Sequence, residues 1–171
     1  MVTRATWWQQ PTPIGEITVV MSRDGIRAIG FGDRAPEDVV GDALAKRVAS
    51  IAKELDEWFR GTRTEFDIAV DLGAIATPFA RAVLETLRSE VAWGETVAYG
   101  ELAAMAGRPG AARAVGSTMA MNPVPFVVPC HRVVGAGHKL GGYGGTNDGA
   151  TQNLAIKRWL LAHEGITAIR G

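Results

Sequence analysis

The run Pro129-Cys130-His131-Arg132 places a thiol beside a base and a cation, and Cys130 is the only cysteine in the 171-residue chain. A thiol acts as a nucleophile in its thiolate form, which a nearby base or positive charge favours. The sequence therefore predicts nucleophilic chemistry at Cys130. The alternative for such a Cys-His pair is an inert core cysteine beside a structural histidine, because neighbouring side chains in an extended segment point apart.

Other chemistries find less support in the sequence. One cysteine and three histidines lack the paired spacings of a zinc site, so no metal is predicted. The late glycines do not end in the Lys-Ser/Thr pair of a phosphate-binding loop. A lone cysteine forms no internal disulfide, and no stretch resembles a signal peptide or a membrane span. We therefore expect a cytoplasmic protein without a membrane partner.

Charge is balanced overall but uneven along the chain. Eighteen Lys and Arg residues match eighteen Asp and Glu residues, so no net charge draws the protein to nucleic acid. Between residues 101 and 145 one acid accompanies four Lys or Arg residues: Arg108, Arg113, Arg132 and Lys139. A role on DNA would depend on this part of the chain.

The first part of the chain predicts a small α+β domain over residues 1–76. Residues 14–21 and 25–31 have strand composition, and the Asp24-Gly25 pair between them predicts a hairpin. Apolar residues then recur at helical spacing from Pro36 to a stop at Gly61. The alternation from Thr64 to Val70 predicts a third strand.

A second, mostly helical domain is predicted over residues 77–171. Thr77 is a suitable cap for a helix that begins at Pro78. Helices over 99–106 and 111–121 flank a Gly-Arg-Pro-Gly turn, a pattern typical of a helix-turn-helix.

The segment around Cys130 is predicted to lack regular helix. Three prolines should keep residues 122–129 extended, and a glycine-rich loop should cover residues 135–149. A last helix is expected from Asn153 to Glu164, ended by Gly165.

The pentapeptide Pro129-Cys130-His131-Arg132-Val133 resembles the active-site signature of the O6-alkylguanine-DNA alkyltransferases. The similarity is strong from Thr77 to Gly165 and includes residues 94–99, 111–116, 122–125, 141–145 and 157–164. The resemblance implies an α+β protein that moves an alkyl group from O6-alkylguanine in double-stranded DNA to its own cysteine, once and without a cofactor. The damaged base would be rotated out of the duplex. Activity on O4-alkylthymine stays open.

The resemblance also implies roles for five catalytic residues. Cys130 would accept the alkyl group, and His131 would take its proton through a water molecule. Glu164 would orient the imidazole and raise its basicity, as a carboxylate behind a histidine does. Asn122 would brace the turn near the thiol, and Tyr99 would donate to the departing purine.

Further positions are implied for DNA and for the flipped base. Arg113 corresponds to the family's finger, which fills the space left in the duplex. Small side chains around it would let the helix approach the minor groove. The predicted DNA contacts are Arg113, Ala112, Ser117 and Arg132. The predicted pocket residues are Val133, Leu140, Tyr143, Gly144 and Gly145.

Two departures from the family pattern bear on function. Ala120-Met121 stands where many members carry a basic residue, so phosphate contacts should be fewer and less salt-dependent. The segment 144–153 is longer than usual, which leaves the range of alkyl groups open. We expect a monomer, with assembly along DNA undetermined. Two other functions stay open: a helix-turn-helix binding module with an inert Cys130, and a cysteine hydrolase built on Cys130, His131 and Glu164.

Overall fold

A computed structural model describes residues 5–32, 45–144 and 150–170 of the chain. The chain divides into two compact units, residues 1–74 and 75–171. The predicted domain boundary lies two residues further along, between residues 76 and 77. Over the described ranges, no helix has both the length and the apolar character needed to cross a membrane.

The first unit contains a three-stranded antiparallel sheet in the order β1 (Thr6–Thr12), β2 (Gly15–Ser22) and β3 (Gly25–Phe31). The predicted hairpin joins β2 to β3, and Ser22 accepts a hydrogen bond from the Asp24 amide there. β1 was not predicted, because its Trp-Trp-Gln-Gln-Pro run lacks the alternation of apolar and polar residues. Its Gln10 side chain is buried and donates to a carbonyl of helix α1 (Ala45–Phe59) at 3.0 Å.

Helix α1 places Ile51, Leu55 and Trp58 in the core, at the spacing that the sequence predicts. The chain leaves the helix at Gly61, whose φ of 72° is costly for other residues. The predicted start of this helix at Pro36 lies outside the described residues.

The third strand predicted for residues 64–70 is wrong. Only Val70 pairs with the sheet, through an isolated parallel bridge to Ile26. The apolar alternation instead reflects packing, since Ile68 is buried and Phe66 stacks on Trp58 with ring centroids 5.8 Å apart. The Asp67 amide donates to a carboxylate of α1 rather than to a neighbouring strand. Alternation alone could not distinguish these two arrangements.

The second unit is mostly helical. Its helices are α2 (Pro78–Glu90), α3 (Tyr99–Met105), α4 (Ala112–Ala120) and α5 (Ala150–His163). Thr77 caps α2 as predicted, accepting a hydrogen bond from the Ala80 amide at 3.2 Å. Two short parallel strands, β4 (Val97–Ala98) and β5 (Val133–Val134), place the start of α3 beside the segment that follows Cys130.

Residues 122–129 form consecutive turns, so the predicted extended segment is wrong. The Val127 amide bonds the Pro125 carbonyl and the Val128 amide bonds the Val124 carbonyl, both at 2.9 Å. Proline fixes its own φ and lacks a donor, but its carbonyl still accepts the hydrogen bond of a tight turn. The turns lead into a single 3₁₀ turn over Cys130–Arg132.

Candidate active site

Asn122 holds the turns that deliver Cys130. Its side-chain nitrogen donates to the Val128 carbonyl at 2.8 Å, and its side-chain oxygen accepts from the Val124 amide at 3.1 Å. The amide thus closes the proline-rich segment from the inside, as a side chain often does in turns. The structure places Asn122 where the sequence predicted a brace.

Cys130 is a buried thiol that reaches a cavity. Its exposed fraction is 6%, and it forms part of the cavity wall. Burial raises the pKa of Cys130, while a hydrogen bond from Asn122 and then the charge of Lys157 oppose that rise. The balance keeps the resting residue a thiol, so a base must remove its proton before the sulfur can attack.

The candidate base is His131, which is fully buried and bonded to Glu164. Its Nε2 lies 2.8 Å from a carboxylate oxygen of Glu164. We assign the proton of the neutral ring to Nε2, since a carboxylate accepts there, and the basic lone pair to Nδ1. The structure thus joins two residues that lie 33 positions apart in the sequence.

The expected effect of Glu164 on His131 is present, but the net pKa of His131 is lowered. Burial lowers the pKa of His131, Glu164 opposes this, and the charge of Arg132 adds to the lowering. Burial is the largest of these effects and leaves the imidazole neutral. A neutral imidazole is the form that can accept a proton.

Arg132 differs most from its predicted position. Instead of facing DNA, its guanidinium is buried and donates to both carboxylate oxygens of Glu164, each at 2.9 Å. A third bond, of 2.6 Å, reaches the carbonyl of Val91. This bidentate geometry is the strongest that arginine forms with a carboxylate. Arg132 therefore acts on Glu164 and is not available to a phosphate.

Glu164 is held as a carboxylate by this network. Burial by itself would raise its pKa, but hydrogen bonds and charges from His131 and Arg132 outweigh burial and lower the pKa to about 2. The amide of Gly94 adds a longer bond at 3.4 Å. The carboxylate is therefore ionised at neutral pH, oriented for His131.

Lys157 is a residue of the site that the sequence did not single out. It is fully buried, and its ammonium donates to the carbonyls of Val133 at 2.7 Å and Gly142 at 3.0 Å. A signal was present, because Lys157 shares a helical face with Leu160, Leu161 and Glu164, which are also buried. A cation on the apolar face of a helix indicates a specific partner.

The cavity beside Cys130 has a volume of about 250 Å³. It is lined by Tyr99, Gly116, Met119, Ala120, Cys130, Gly142, Tyr143 and Gly144. Two predicted pocket residues, Val133 and Leu140, are buried and lie outside this lining. Val133 pairs in β5, and the Leu140 amide donates to the Arg170 carbonyl. The predicted pocket residue Gly145 lies outside the described residues.

Two phenols belong to the cavity wall. Burial and then the charge on Cys130 raise the pKa of Tyr99, while a bond from the Gly142 amide lowers it. Burial and the nearby thiolate raise the pKa of Tyr143 well above its usual value. Both side chains are therefore neutral phenols at physiological pH, and each can donate a proton or a hydrogen bond.

The outer face of α4 is exposed and carries little charge. Arg113 and Ser117 lie four residues apart on this face, and Ala112 is half-buried. The Ser117 hydroxyl donates to the Arg113 carbonyl at 3.3 Å. Just beyond the helix, 69% of Met121 is exposed. The predicted DNA contacts of α4 are thus accessible, in contrast to Arg132.

Two family models match the chain. One, described as the DNA binding domain of 6-O-methylguanine DNA methyltransferase, matches residues 78–166. The other, described as the ribonuclease-like domain of the same protein, matches residues 9–72. Together they cover most of both structural units.

Individual relatives carry related names. The methylated-DNA--protein-cysteine methyltransferase of Mycolicibacterium paratuberculosis is 47% identical over 110 residues, which are 64% of this chain and 65% of the relative. The protein of that name from Methanosarcina acetivorans is 35% identical over 90% of this chain and 94% of its own length. A crystal structure of Mycobacterium tuberculosis OGT in complex with DNA is similar at a TM-score of 0.75 and 34% identity, covering 93% of this chain and 92% of that one.

Proposed function

We propose, because this chain belongs to the 6-O-methylguanine DNA methyltransferase family, that it transfers an alkyl group from the O6 atom of guanine in DNA to Cys130. The observation that carries the proposal is the position of the only cysteine. Cys130 and Tyr99 both line one cavity, and the residue after Cys130, His131, is buried and bonded to Glu164. A nucleophile and an acid thus line one cavity, and the residue next to the nucleophile supplies a base.

The transfer begins with deprotonation of the thiol. Because burial raises the pKa of Cys130, the proton must pass to a base, and neutral His131 supplies the lone pair of Nδ1. The positive charge that then forms on the imidazole is stabilised by the carboxylate of Glu164, 2.8 Å from Nε2. The thiolate therefore forms together with an imidazolium, whose charge is paired with Glu164.

The thiolate then displaces the alkyl group. A bond forms between Sγ of Cys130 and the alkyl carbon while the bond from that carbon to O6 breaks, and the electron pair remains on the purine. Tyr99 donates a proton to the purine anion, and the proton first taken by His131 restores the phenol through solvent. The net products are guanine and a thioether at Cys130. Since a thioether is stable, each molecule acts once.

The second unit would present this cavity to DNA through α4. The DNA complex of the similar M. tuberculosis protein supports the binding of DNA. The target carbon is inaccessible inside a stacked duplex, so the nucleotide must be rotated into the protein. Arg113 is exposed on α4 and is the side chain that we assign to the vacated space. The half-buried Ala112 and exposed Ser117 would allow a close approach to the minor groove.

Intact-protein mass spectrometry tests the proposal. After mixing with a duplex that contains one O6-methylguanine, we expect the mass of the protein to rise by one methyl group, with Cys130 as the modified residue. The matched control is Cys130→Ala, which should show no gain while its affinity for the duplex is kept. An unmethylated duplex controls for adventitious modification.

The other two functions give different outcomes in the same experiment. A binding module with an inert cysteine would bind the duplex without any mass gain at any ratio of protein to DNA. A cysteine hydrolase would release product repeatedly without retaining a group on Cys130. Either result would overturn the proposal.

A further inference from the structure

Lys157 is a buried cation that the mechanism above does not use. None of its surface is exposed, and in the described part of the chain its ammonium has no carboxylate partner. Placing a charge in the interior is costly unless the site requires it. The cost calls for a role that an apolar side chain on this face of α5 would not fill.

The two acceptors of Lys157 belong to two different segments of the site. Val133 directly follows the 3₁₀ turn that carries Cys130, and its carbonyl accepts at 2.7 Å. Gly142 lines the cavity, and its carbonyl accepts at 3.0 Å. One ammonium therefore connects the segment that follows the nucleophile to Gly142 in the cavity wall.

Gly142 links this bond to Tyr99. Its amide donates to the phenol oxygen while its carbonyl accepts from Lys157. While the phenol oxygen accepts from this amide, its O–H can still donate to another acceptor. The backbone there also passes close to the ring, since a Cβ at Gly141 would lie 3.1 Å from the Tyr99 hydroxyl oxygen. Fixing Gly142 thus fixes one hydrogen-bond partner of the Tyr99 phenol.

We propose that Lys157 is a positioning residue for the proposed alkyl transfer. Its ammonium fixes the segment that carries Cys130 relative to Gly142, which contacts Tyr99, and its charge favours the thiolate. This inference rests on the proposed function. It assigns two separable effects to one side chain, a geometric effect through two carbonyls and an electrostatic effect on the sulfur.

The charged and titratable groups around Lys157 fit this assignment. Cys130 and His131 both interact with its charge, and the neutral Tyr143 faces the same thiol. Burial lowers the pKa of Lys157 to about 8, and the thiolate of Cys130 opposes that lowering. The amine is therefore mostly protonated at neutral pH. Its positive charge is thus present under the conditions in which the thiolate must form.

Three variants separate the two effects. Lys157→Met removes both the charge and the donor, whereas Lys157→Gln removes the charge and keeps a donor. Arg158→Gln is the matched control, because it removes an exposed cation from the next position of α5. Circular dichroism and thermal unfolding establish that each variant is folded at the temperature of the assays.

The electrostatic effect is measured without DNA, as the rate at which iodoacetamide alkylates Cys130 across a range of pH. In both Lys157 variants the profile should move to higher pH, and the rate at neutral pH should fall about 10-fold. Arg158→Gln should match the parent protein. An unchanged profile in both Lys157 variants would overturn the electrostatic role.

The geometric effect is measured as the rate of methyl transfer in a single turnover at saturating duplex. Lys157→Met should lose about 100-fold with unchanged duplex affinity, and Lys157→Gln should lose less. In the double variant Lys157→Met/Tyr99→Phe, the rate should fall by less than the product of the two single fold-losses. The reason is that the two side chains act on the same proton transfer. Equal losses in the Met and Gln variants, or full multiplication, would overturn the link to Tyr99.

The two sets of measurements also separate this inference from the proposed function. If the parent protein gains no methyl group, the proposed function fails, yet the iodoacetamide profiles still report on Lys157 and Cys130. If the parent protein is methylated and Lys157→Met reacts at the parent rate with the parent profile, the inference fails alone.

Discussion

The network behind Cys130 and the outer face of α4 both depend on an arginine, and they use it in opposite ways. Arg132 is buried, and its guanidinium forms three hydrogen bonds, two of them to Glu164. Arg113 is exposed on α4, with solvent around its charge. The same side chain thus organises the protein in one region and is left available to a ligand in the other.

The difference shows that the two regions contribute to different free energies, of folding in one case and of DNA binding in the other. A buried ion pair contributes mainly by leaving no charge unpaired, so losing one partner is costly to the fold. An exposed cation contributes little to the fold and acts on a distant anion through a potential that salt screens. Changes to the buried network should therefore affect stability and chemistry together, whereas changes to the exposed face should affect DNA binding alone.

The largest expected effect is on stability and comes from Arg132→Met. It leaves the buried Glu164 carboxylate without its bidentate partner, and the free energy of unfolding should fall by about 3–5 kcal/mol. The matched change in the exposed region, Arg113→Met, should alter it by less than about 0.5 kcal/mol. Urea denaturation measures both. Similar values for the two variants would remove the contrast between the regions.

The next effect is a dependence of stability on acid. The pKa of Glu164 falls from 4.5 to about 2 on folding, so its ionised form stabilises the folded state above pH 4.5. That contribution, about 3 kcal/mol, is lost as the pH falls from 4.5 towards 2. Glu164→Gln lacks it, so the unfolding free energies of the two proteins should converge over this range. Parallel curves would contradict the assignment.

A smaller effect is expected on DNA binding from Arg113→Ala. Affinity for a duplex should fall about 10-fold, equivalent to about 1.4 kcal/mol, since one contact to DNA is lost. The rate of Cys130 alkylation by iodoacetamide should not change, because the buried network is intact. Fluorescence anisotropy with a labelled duplex measures the affinity, and Arg158→Gln controls for the loss of a positive charge. A slower alkylation in Arg113→Ala would show that the two regions are coupled.

The smallest effect is expected from adding a charge beside α4. Met121 is largely exposed and lies outside the cavity lining, so Met121→Lys should leave the reaction itself unchanged. If the introduced ammonium neutralises one phosphate, the slope of log affinity against log salt should steepen by about 0.9. The neutral control is Met121→Gln. An unchanged slope would place this position away from the DNA backbone.

Much of the fold followed from local sequence patterns. Thr77 before Pro78 predicted the start of α2, Asp24-Gly25 predicted the β2–β3 hairpin, and both are confirmed. The errors arose where one pattern fits two structures. The alternation over residues 64–70 describes side chains packed on a core as well as a strand, and prolines over 122–129 allow turns as well as an extended chain.

The sequence by itself determined the family to which the chain belongs. Cys130 is the only thiol, and the signature around it, together with His131 and Glu164, pointed to one family. The family assignment succeeded because residue type and local spacing carry it. The roles of the individual side chains in the reaction stay predictions.

Only the tertiary structure decided where Arg132 and Lys157 direct their charges. The partners of Arg132 lie 32 and 41 positions away, and those of Lys157 lie 24 and 15 positions away. Whether a cation faces solvent or the core depends on which distant segments pack over it, and burial then decides whether its charge must be paired. A local motif contains neither piece of information. In this protein the fold buries Arg132, a predicted DNA contact, and places Lys157 beside the segment that carries Cys130.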